Sequence, residues 1–165
     1  MCLLKAIKIE NVKFIFSSVF CFFVIACNDE TPDIPMSSKV LKEINEIRSR
    51  GCLCGSEFLP PASPLTWNDQ LENAAYRHVI DMYERKYFSH ITPEGISPKQ
   101  RVEDAGYKGI YCFENIAKGY NSHDNVIDAW KKSESHCRAM MADSVSEIGV
   151  SRFNSFWVME LGDKE

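Results

Sequence analysis

Two histidines and one glutamate, far apart in the chain, could share one ligand. His90, Glu114 and His136 each border an apolar segment that would hold the backbone in place. Two imidazoles and a carboxylate, if the fold brings them together, suit Zn²⁺ or another divalent cation, or else a polar ligand. The sequence therefore predicts a solvent-accessible cleft that binds a metal or a ligand through these three side chains.

Glu114 is the most informative of the three, because it stands between Phe113 and Ile116 in a largely apolar stretch. A carboxylate there must reach the surface or find a partner, since burying it unpaired is costly. His90 could instead cap a helix end, and His136 could be a histidine at a helix start with no special role.

The remaining two histidines are assigned no role in the cleft. His78 lies on the apolar face of a long predicted helix, which favours a satisfied core histidine. His123 falls in the first turn of a predicted helix with a polar cap, which favours a solvated side chain.

The order and spacing of three stretches resemble the CAP superfamily of cysteine-rich secretory proteins, antigen 5 and pathogenesis-related proteins. These stretches run from Phe88 to Gly95, from Glu114 to Gly119 and from Ala129 to His136. The resemblance is closest to bacterial members and extends from about Val40 to Leu161. It implies that His90, Glu114 and His136 are the cleft residues, and that the fold is an α-β-α sandwich.

One position departs from the pattern of the animal and plant members. Those proteins usually carry a second glutamate three residues after the tryptophan, where this chain has Ser133, with Glu134 one step out of register. The second glutamate is therefore not assigned to this chain.

Periodicity and capping residues predict an α+β fold with a small antiparallel sheet, and this pattern fits the three-layer α-β-α sandwich that the resemblance implies. Four helices are predicted to start at Ser37 or Ser38, Asn68, Ser97 and Ser122. Three strands are predicted over Tyr111–Tyr120, Glu147–Phe153 and Phe156–Leu161.

The N-terminus indicates export. Three lysines precede an apolar run of 13 residues, Phe14 to Ala26, which suits a signal peptide better than a membrane span. The run ends in Val24-Ile25-Ala26-Cys27, which is typical of a bacterial lipobox with Cys27 as the lipidated residue. The predicted organisation is a signal peptide over 1–26, a flexible acidic tether over 27–37 and one domain over 38–165. The protein would then be a lipoprotein of the outer membrane or cell surface, with simple secretion as the alternative.

Charge argues against a nucleic-acid partner. Removing residues 1–26 takes away three lysines and one glutamate, which changes the formal net charge from −4 to −6. No basic cluster is present, so binding to nucleic acid is not expected.

Four of the seven cysteines fall in the predicted domain, which indicates two disulfides in an exported protein. A bridge between Cys52 and Cys54 would close a very tight ring, so each is expected to pair with Cys112 or Cys137. The alternative is a four-cysteine zinc site, which is less favoured because the spacing of Cys52 and Cys54 is unusual for one.

Three functions are compatible with the sequence. The first is a binding domain for a divalent cation or for a ligand, and the resemblance implies that lipids, sterols or cell-envelope components are possible ligands. The second is a metal-assisted hydrolase of peptides or envelope substrates, with His90, Glu114 and His136 as its catalytic residues. The third is a structural or adhesive module with an inactive cleft. A hydrolase needs a general base, and only Glu134 or Glu147 could supply one, so binding is favoured.

Overall fold

Residues 35–164 are described by the structure, which is a computed structural model. The predicted signal peptide, Cys27 and most of the predicted tether lie outside these described residues. No helix between residues 35 and 164 is both long enough and apolar enough to cross a membrane.

Residues 35–164 form five helices and six strands. The helices are α1 Met36–Arg50, α2 Asp69–Glu84, α3 Pro98–Asp104, α4 His123–Lys132 and α5 Glu134–Met141. The strands are β1 Cys52–Cys54, β2 Glu57–Leu59, β3 Thr66–Trp67, β4 Ile110–Lys118, β5 Glu147–Phe153 and β6 Phe156–Asp163.

The main sheet has the strand order β3-β5-β6-β4. Strand β6 pairs antiparallel with β4 on one side and with β5 on the other, while β3 pairs parallel with β5. Strands β1 and β2 form a separate antiparallel hairpin. Strand β4 therefore lies at one edge of the main sheet, and Glu114 lies on this strand.

Side chains that alternate along β4 and β6 separate the two faces of the sheet. Ile116 and Val158 pack with Val79 of α2 on one face. On the other face, Trp157 belongs to a cluster that also contains Trp130 of α4 and residues of α1. The sheet thus lies between two helical layers, which confirms the predicted α+β sandwich.

Helix α2 packs closely against β5 because Gly149 has no side chain. A Cβ built at this position would lie 2.0 Å from the backbone nitrogen of Glu72. Glycine is therefore required here by the approach of two backbones, at a point where Gly149 itself has no unusual φ.

The predicted caps of three helices are confirmed, since the side chains of Asn68, Ser97 and Ser122 accept hydrogen bonds from the first turns of α2, α3 and α4. Helix α1 differs, because it follows Pro35 and has no side-chain cap. The backbone nitrogen of Lys39 donates to the carbonyl oxygen of Pro35 at 3.2 Å, so the helix begins before the predicted serine caps.

Several short elements were not predicted. Helix α5 begins directly after α4, and Ser133 is the residue that ends one and starts the other. Strands β1, β2 and β3 contain only two or three residues each, which is too few to give a periodic signal. The pairing of β3 with β5 also makes the main sheet mixed, whereas a purely antiparallel sheet was expected.

One disulfide is present among residues 35–164, between Cys54 and Cys137. Cys52 is a buried free cysteine and Cys112 is a half-buried one, so the prediction of a second disulfide is wrong for this structure. The reason is position: Cys112 Sγ lies 3.6 Å from the carbonyl oxygen of Ser144, whereas Cys52 lies beside the existing disulfide. The sulfurs of Cys52, Cys54 and Cys137 lie within 4.8 Å of one another, and Cys112 is absent from this group, which removes the geometry of a four-cysteine zinc site.

Candidate functional site

Glu114 is a buried carboxylate with two charge-assisted partners. Its side chain is 1% exposed. Oε1 accepts a hydrogen bond from His90 Nδ1 at 2.6 Å, and Oε2 accepts one from Arg101 Nη2 at 2.5 Å. Burial would raise the pKa of Glu114, but the bond from His90 and the charge of Arg101 outweigh it and hold the pKa below its usual value. The carboxylate is therefore ionised and can act only as an acceptor.

Arg101 ties the buried carboxylate to the loop that carries His90. Besides Glu114, its guanidinium donates to the carbonyl oxygen of His90 at 2.8 Å and to that of Ile96 at 3.2 Å. Arg101 is itself buried, on helix α3. One side chain thus fixes the backbone of His90 and the carboxylate that holds the His90 ring.

The loop that carries His90 is braced by its own side chains. Ser89 Oγ accepts from the backbone nitrogen of Ile91 at 3.1 Å, and Thr92 Oγ1 accepts from that of Ile96 at 3.1 Å. The turn closes through Gly95, whose φ of +87° favours glycine. These bonds restrict the loop to one path past the edge strand.

Glu114 holds one of the two ring nitrogens of His90. Because the Glu114 carboxylate only accepts, Nδ1 of His90 carries the proton in the neutral ring. Nε2 is then left with a free lone pair, and the side chain is 49% exposed. A carboxylate behind a histidine in this way fixes the tautomer and the direction of the ring, as it does for histidines that bind metals.

His78 lies buried behind the site. Its Nε2 donates to the carbonyl oxygen of Ser89 at 3.0 Å and lies 3.9 Å from Oε2 of Glu114. Burial is the largest cause that lowers the pKa of His78, so the ring is neutral at neutral pH. This agrees with a satisfied core histidine, but the bond to Ser89 also supports the loop one residue before His90.

Glu160 is a second buried carboxyl group, directly across the sheet from Glu114 in the register of β4 and β6. Neither of its oxygens has a hydrogen-bond partner of ordinary geometry among the described residues. Burial, followed by the negative charge of Glu114, raises the pKa of Glu160 well above its usual value. We therefore assign the proton of the pair to Glu160, which keeps a second negative charge out of the interior.

His136 approaches from the other helical layer, in the first turn of α5. Its carbonyl oxygen accepts from Asn115 Nδ2 at 3.1 Å, which ties α5 to the residue next to Glu114 on β4. Burial lowers the pKa of the half-buried His136, and the charge of nearby His90 lowers it further. The two imidazoles therefore sense each other electrostatically.

The three predicted ligands do not form a compact metal centre in this arrangement. Within residues 35–164, the groups whose donor atoms all lie within 4.8 Å of one another are Cys52–Cys54–Cys137 and Glu43–His123–Asp124. Both oxygens of Glu114 are already engaged in hydrogen bonds, one with His90 and one with Arg101.

The two glutamates considered as a general base lie in other contacts. Glu134 pairs with Arg138 at 3.1 Å, and Glu147 accepts a hydrogen bond from the hydroxyl group of Tyr107 at 2.8 Å. Neither carboxylate contacts His90 or Glu114 in the structure.

Arg101 and Glu160 are site residues that were not predicted from the sequence. A signal for Glu160 was present, because it interrupts the apolar run of β6 just as Glu114 interrupts that of β4. For Arg101 there was none, since an arginine in a short capped helix usually faces solvent.

Comparison with known proteins places this site in a family. The model of the cysteine-rich secretory protein (CAP) family matches residues 41–157. An uncharacterized membrane protein of Bacillus subtilis (strain 168), YlbC, is 31% identical over 86 residues, which are 52% of this chain and 25% of that protein.

Two solved structures have a similar fold. One is an extracellular protein containing an SCP domain from Bacillus anthracis str. Ames, with a TM-score of 0.69, 24% identity and coverage of 77% of this chain and 40% of that one. The other is an outer surface protein from Borrelia burgdorferi, with a TM-score of 0.65, 24% identity and coverage of 78% of this chain and 92% of that one.

The chain spans a quarter of YlbC and two fifths of the Bacillus anthracis protein. The family model covers more of this chain than the match to YlbC does. It includes α2 to β5 completely and all three predicted cleft residues. The sandwich fold and the match over residues 41–157 together show that this chain belongs to the cysteine-rich secretory protein (CAP) family.

Proposed function

We propose that this protein is an exported CAP-domain protein that binds an external ligand through His90 and His136, with Glu114 as the buried group that orients His90. The observation that carries the proposal is the 2.6 Å bond between Glu114 Oε1 and His90 Nδ1. It directs the proton-bearing nitrogen of His90 into the protein and leaves the basic nitrogen outside. A divalent cation such as Zn²⁺ is the simplest ligand for a pair of neutral imidazoles.

Of the three predicted ligands, only the two histidines would bind a cation directly. His90 Nε2 and His136 would supply two ligands, and an open coordination sphere would be completed by water or by an anionic group of a larger ligand. Glu114 would orient His90 without binding the ion itself, because its two oxygens already accept hydrogen bonds from His90 and Arg101. This assignment revises the expectation that all three side chains bind the ion directly.

Binding is proposed in preference to hydrolysis because no free carboxylate stands ready as a general base among the candidates in residues 35–164. Glu134 and Glu147, the two candidates, are held by Arg138 and Tyr107. A structural or adhesive role remains the alternative if the cleft takes neither a cation nor another ligand.

Export is supported by three observations. The N-terminal sequence is typical of a signal peptide that ends in a lipobox. The Cys54–Cys137 disulfide suits an oxidising compartment. Similar folds occur in proteins described as extracellular and as an outer surface protein. The proposal includes a lipid anchor on Cys27. In a detergent phase-separation experiment, replacing Cys27 with alanine should move the protein from the detergent phase to the aqueous phase.

Calorimetric titration with Zn²⁺ tests the cleft. All variants carry His123→Ala, because the Glu43–His123–Asp124 group could bind a cation independently. We expect a single ion to bind in this background, and His90→Ala or His136→Ala to abolish binding.

Glu114→Gln separates the orienting role of Glu114 from direct ligation. Loss of an outer-shell partner typically weakens metal binding about 10- to 100-fold, which is the expected result. Unchanged Zn²⁺ affinity in His90→Ala would end the proposal.

A further inference from the structure

Three sulfur atoms lie together where the β1–β2 hairpin meets helix α5. Cys54 and Cys137 form the disulfide, which joins residues 83 positions apart. The thiol of Cys52 lies 3.6 Å from Cys137 Sγ, and all three sulfurs are within 4.8 Å of one another. A free thiol at this distance from a disulfide can take part in thiol–disulfide exchange with it.

The geometry of β1 explains why two cysteines face one partner. Residues two apart on a strand point to the same side, so Cys52 and Cys54 both face α5 and are both buried. Leu53 between them points away and is 60% exposed. Cys137 therefore has two equivalent candidates on one strand.

We propose that Cys52 and Cys54 compete for Cys137, so that the domain exchanges between a Cys54–Cys137 disulfide and a Cys52–Cys137 disulfide. The thiolate of Cys52 attacks Cys137 Sγ and forms the new S–S bond. The bond between Cys137 and Cys54 breaks, and Cys54 leaves as a thiolate that takes up the proton given up by Cys52. One disulfide and one thiol are present before and after, so the step needs no oxidant or reductant.

The hairpin must move for this exchange. Because the three sulfurs form a compact triangle, Cys52 is not in line with the bond that breaks and its side chain must rotate. Strands β1 and β2 have three residues each and belong to a separate two-stranded sheet, which is a marginally stable arrangement. The β1–β2 hairpin, which has to move, is therefore held by few of its own hydrogen bonds.

The movement needed is small, because Cys52 Sγ already lies 3.6 Å from Cys137 Sγ and a disulfide brings its two sulfurs to about 2.0 Å. The new bond would form at the residue next to His136. The exchange itself does not depend on what His136 binds.

Disulfide mapping on the full chain tests the proposal. The oxidised protein is held in mildly alkaline buffer, quenched with acid at intervals, labelled with a thiol reagent and digested. Fragmentation of the peptide that contains both Cys52 and Cys54 shows which of the two carries the label. We expect label on Cys54 to accumulate beside label on Cys52, and label confined to Cys52 at every time would overturn the proposal.

Single-cysteine variants provide a second test that does not depend on exchange rates. Cys54→Ala should form the Cys52–Cys137 disulfide under the conditions that give the native bond, and Cys52→Ala should retain Cys54–Cys137. Cys112→Ala is the matched control, because Cys112 Sγ lies near Ser144 and outside the cluster, and it should map like the wild type. Free thiols on both Cys52 and Cys137 in the Cys54→Ala variant would contradict the proposal.

Discussion

Replacing Arg101 with methionine removes three hydrogen bonds and leaves the Glu114 carboxylate buried without its cation. The guanidinium donates to Glu114 and to the carbonyl oxygens of His90 and Ile96. Methionine fills a similar volume, so packing changes little. Breaking a buried ion pair from one side typically costs about 3–5 kcal/mol, and we expect Arg101→Met to lower the free energy of unfolding by this amount at neutral pH.

The loss should depend on pH in a defined direction. In the wild type the pKa of Glu114 is lowered, so its stabilising effect is present above the unfolded pKa, about 4.5, and is lost as the pH falls through the lower folded value. Without Arg101 the folded pKa of Glu114 rises. The difference between variant and wild type should therefore be largest at neutral pH and should shrink as both proteins are acidified.

Urea unfolding followed by tryptophan fluorescence measures both effects. Arg138→Met is the matched control, since Arg138 also bridges two acidic partners, Glu57 and Glu134, but on the surface, where such pairs contribute little. A cost of Arg101→Met no greater than that of Arg138→Met, or one that is the same at every pH, would refute the expected role of Arg101. Adding Glu114→Gln to Arg101→Met should recover part of the lost stability, because the uncompensated charge is removed.

Three further predictions concern the support of the site. The folded pKa of Glu160 is raised, so above about pH 4.5 the unfolded wild type loses a proton that the folded protein retains, and the wild type loses stability as the pH rises. Glu160→Gln lacks this proton, so its free energy of unfolding in urea should increase relative to that of the wild type as the pH rises. Gly149→Ala should cost about 1–3 kcal/mol or more in urea unfolding, because its Cβ would collide with the backbone of Glu72. His78→Gln should lower stability by about 1–3 kcal/mol through its lost bond to Ser89, while calorimetry shows unchanged Zn²⁺ affinity.

The larger elements could be predicted because their signals are local. The apolar face of α2 and the side-chain caps of α2, α3 and α4 are read directly from spacing and residue type. Helix α5 was missed because it follows α4 without a loop. The hairpin was missed because strands of three residues carry no period.

The site was predictable only where a residue conflicted with its surroundings. Glu114 stood out as a carboxylate in an apolar strand, and the structure supplies the partners that this position demands. Which residues those partners are depends on tertiary packing, so Arg101 could not be found from sequence. The prediction of a second disulfide was wrong for the same reason, since the number of cysteines does not show where Cys112 lies in the fold.

The proposed role of Glu114 is to orient His90 so that its Nε2, together with His136, faces an external ligand. Nitrogen-detected NMR of the histidine rings during a Zn²⁺ titration tests this most directly. We expect neutral His90 to carry its proton on Nδ1 before Zn²⁺ is added, and Nε2 of His90 and the ring of His136 to shift together as the ion binds. A proton on Nε2 of His90 in the free protein, or a titration that shifts His123 and leaves His90 and His136 unchanged, would contradict this role.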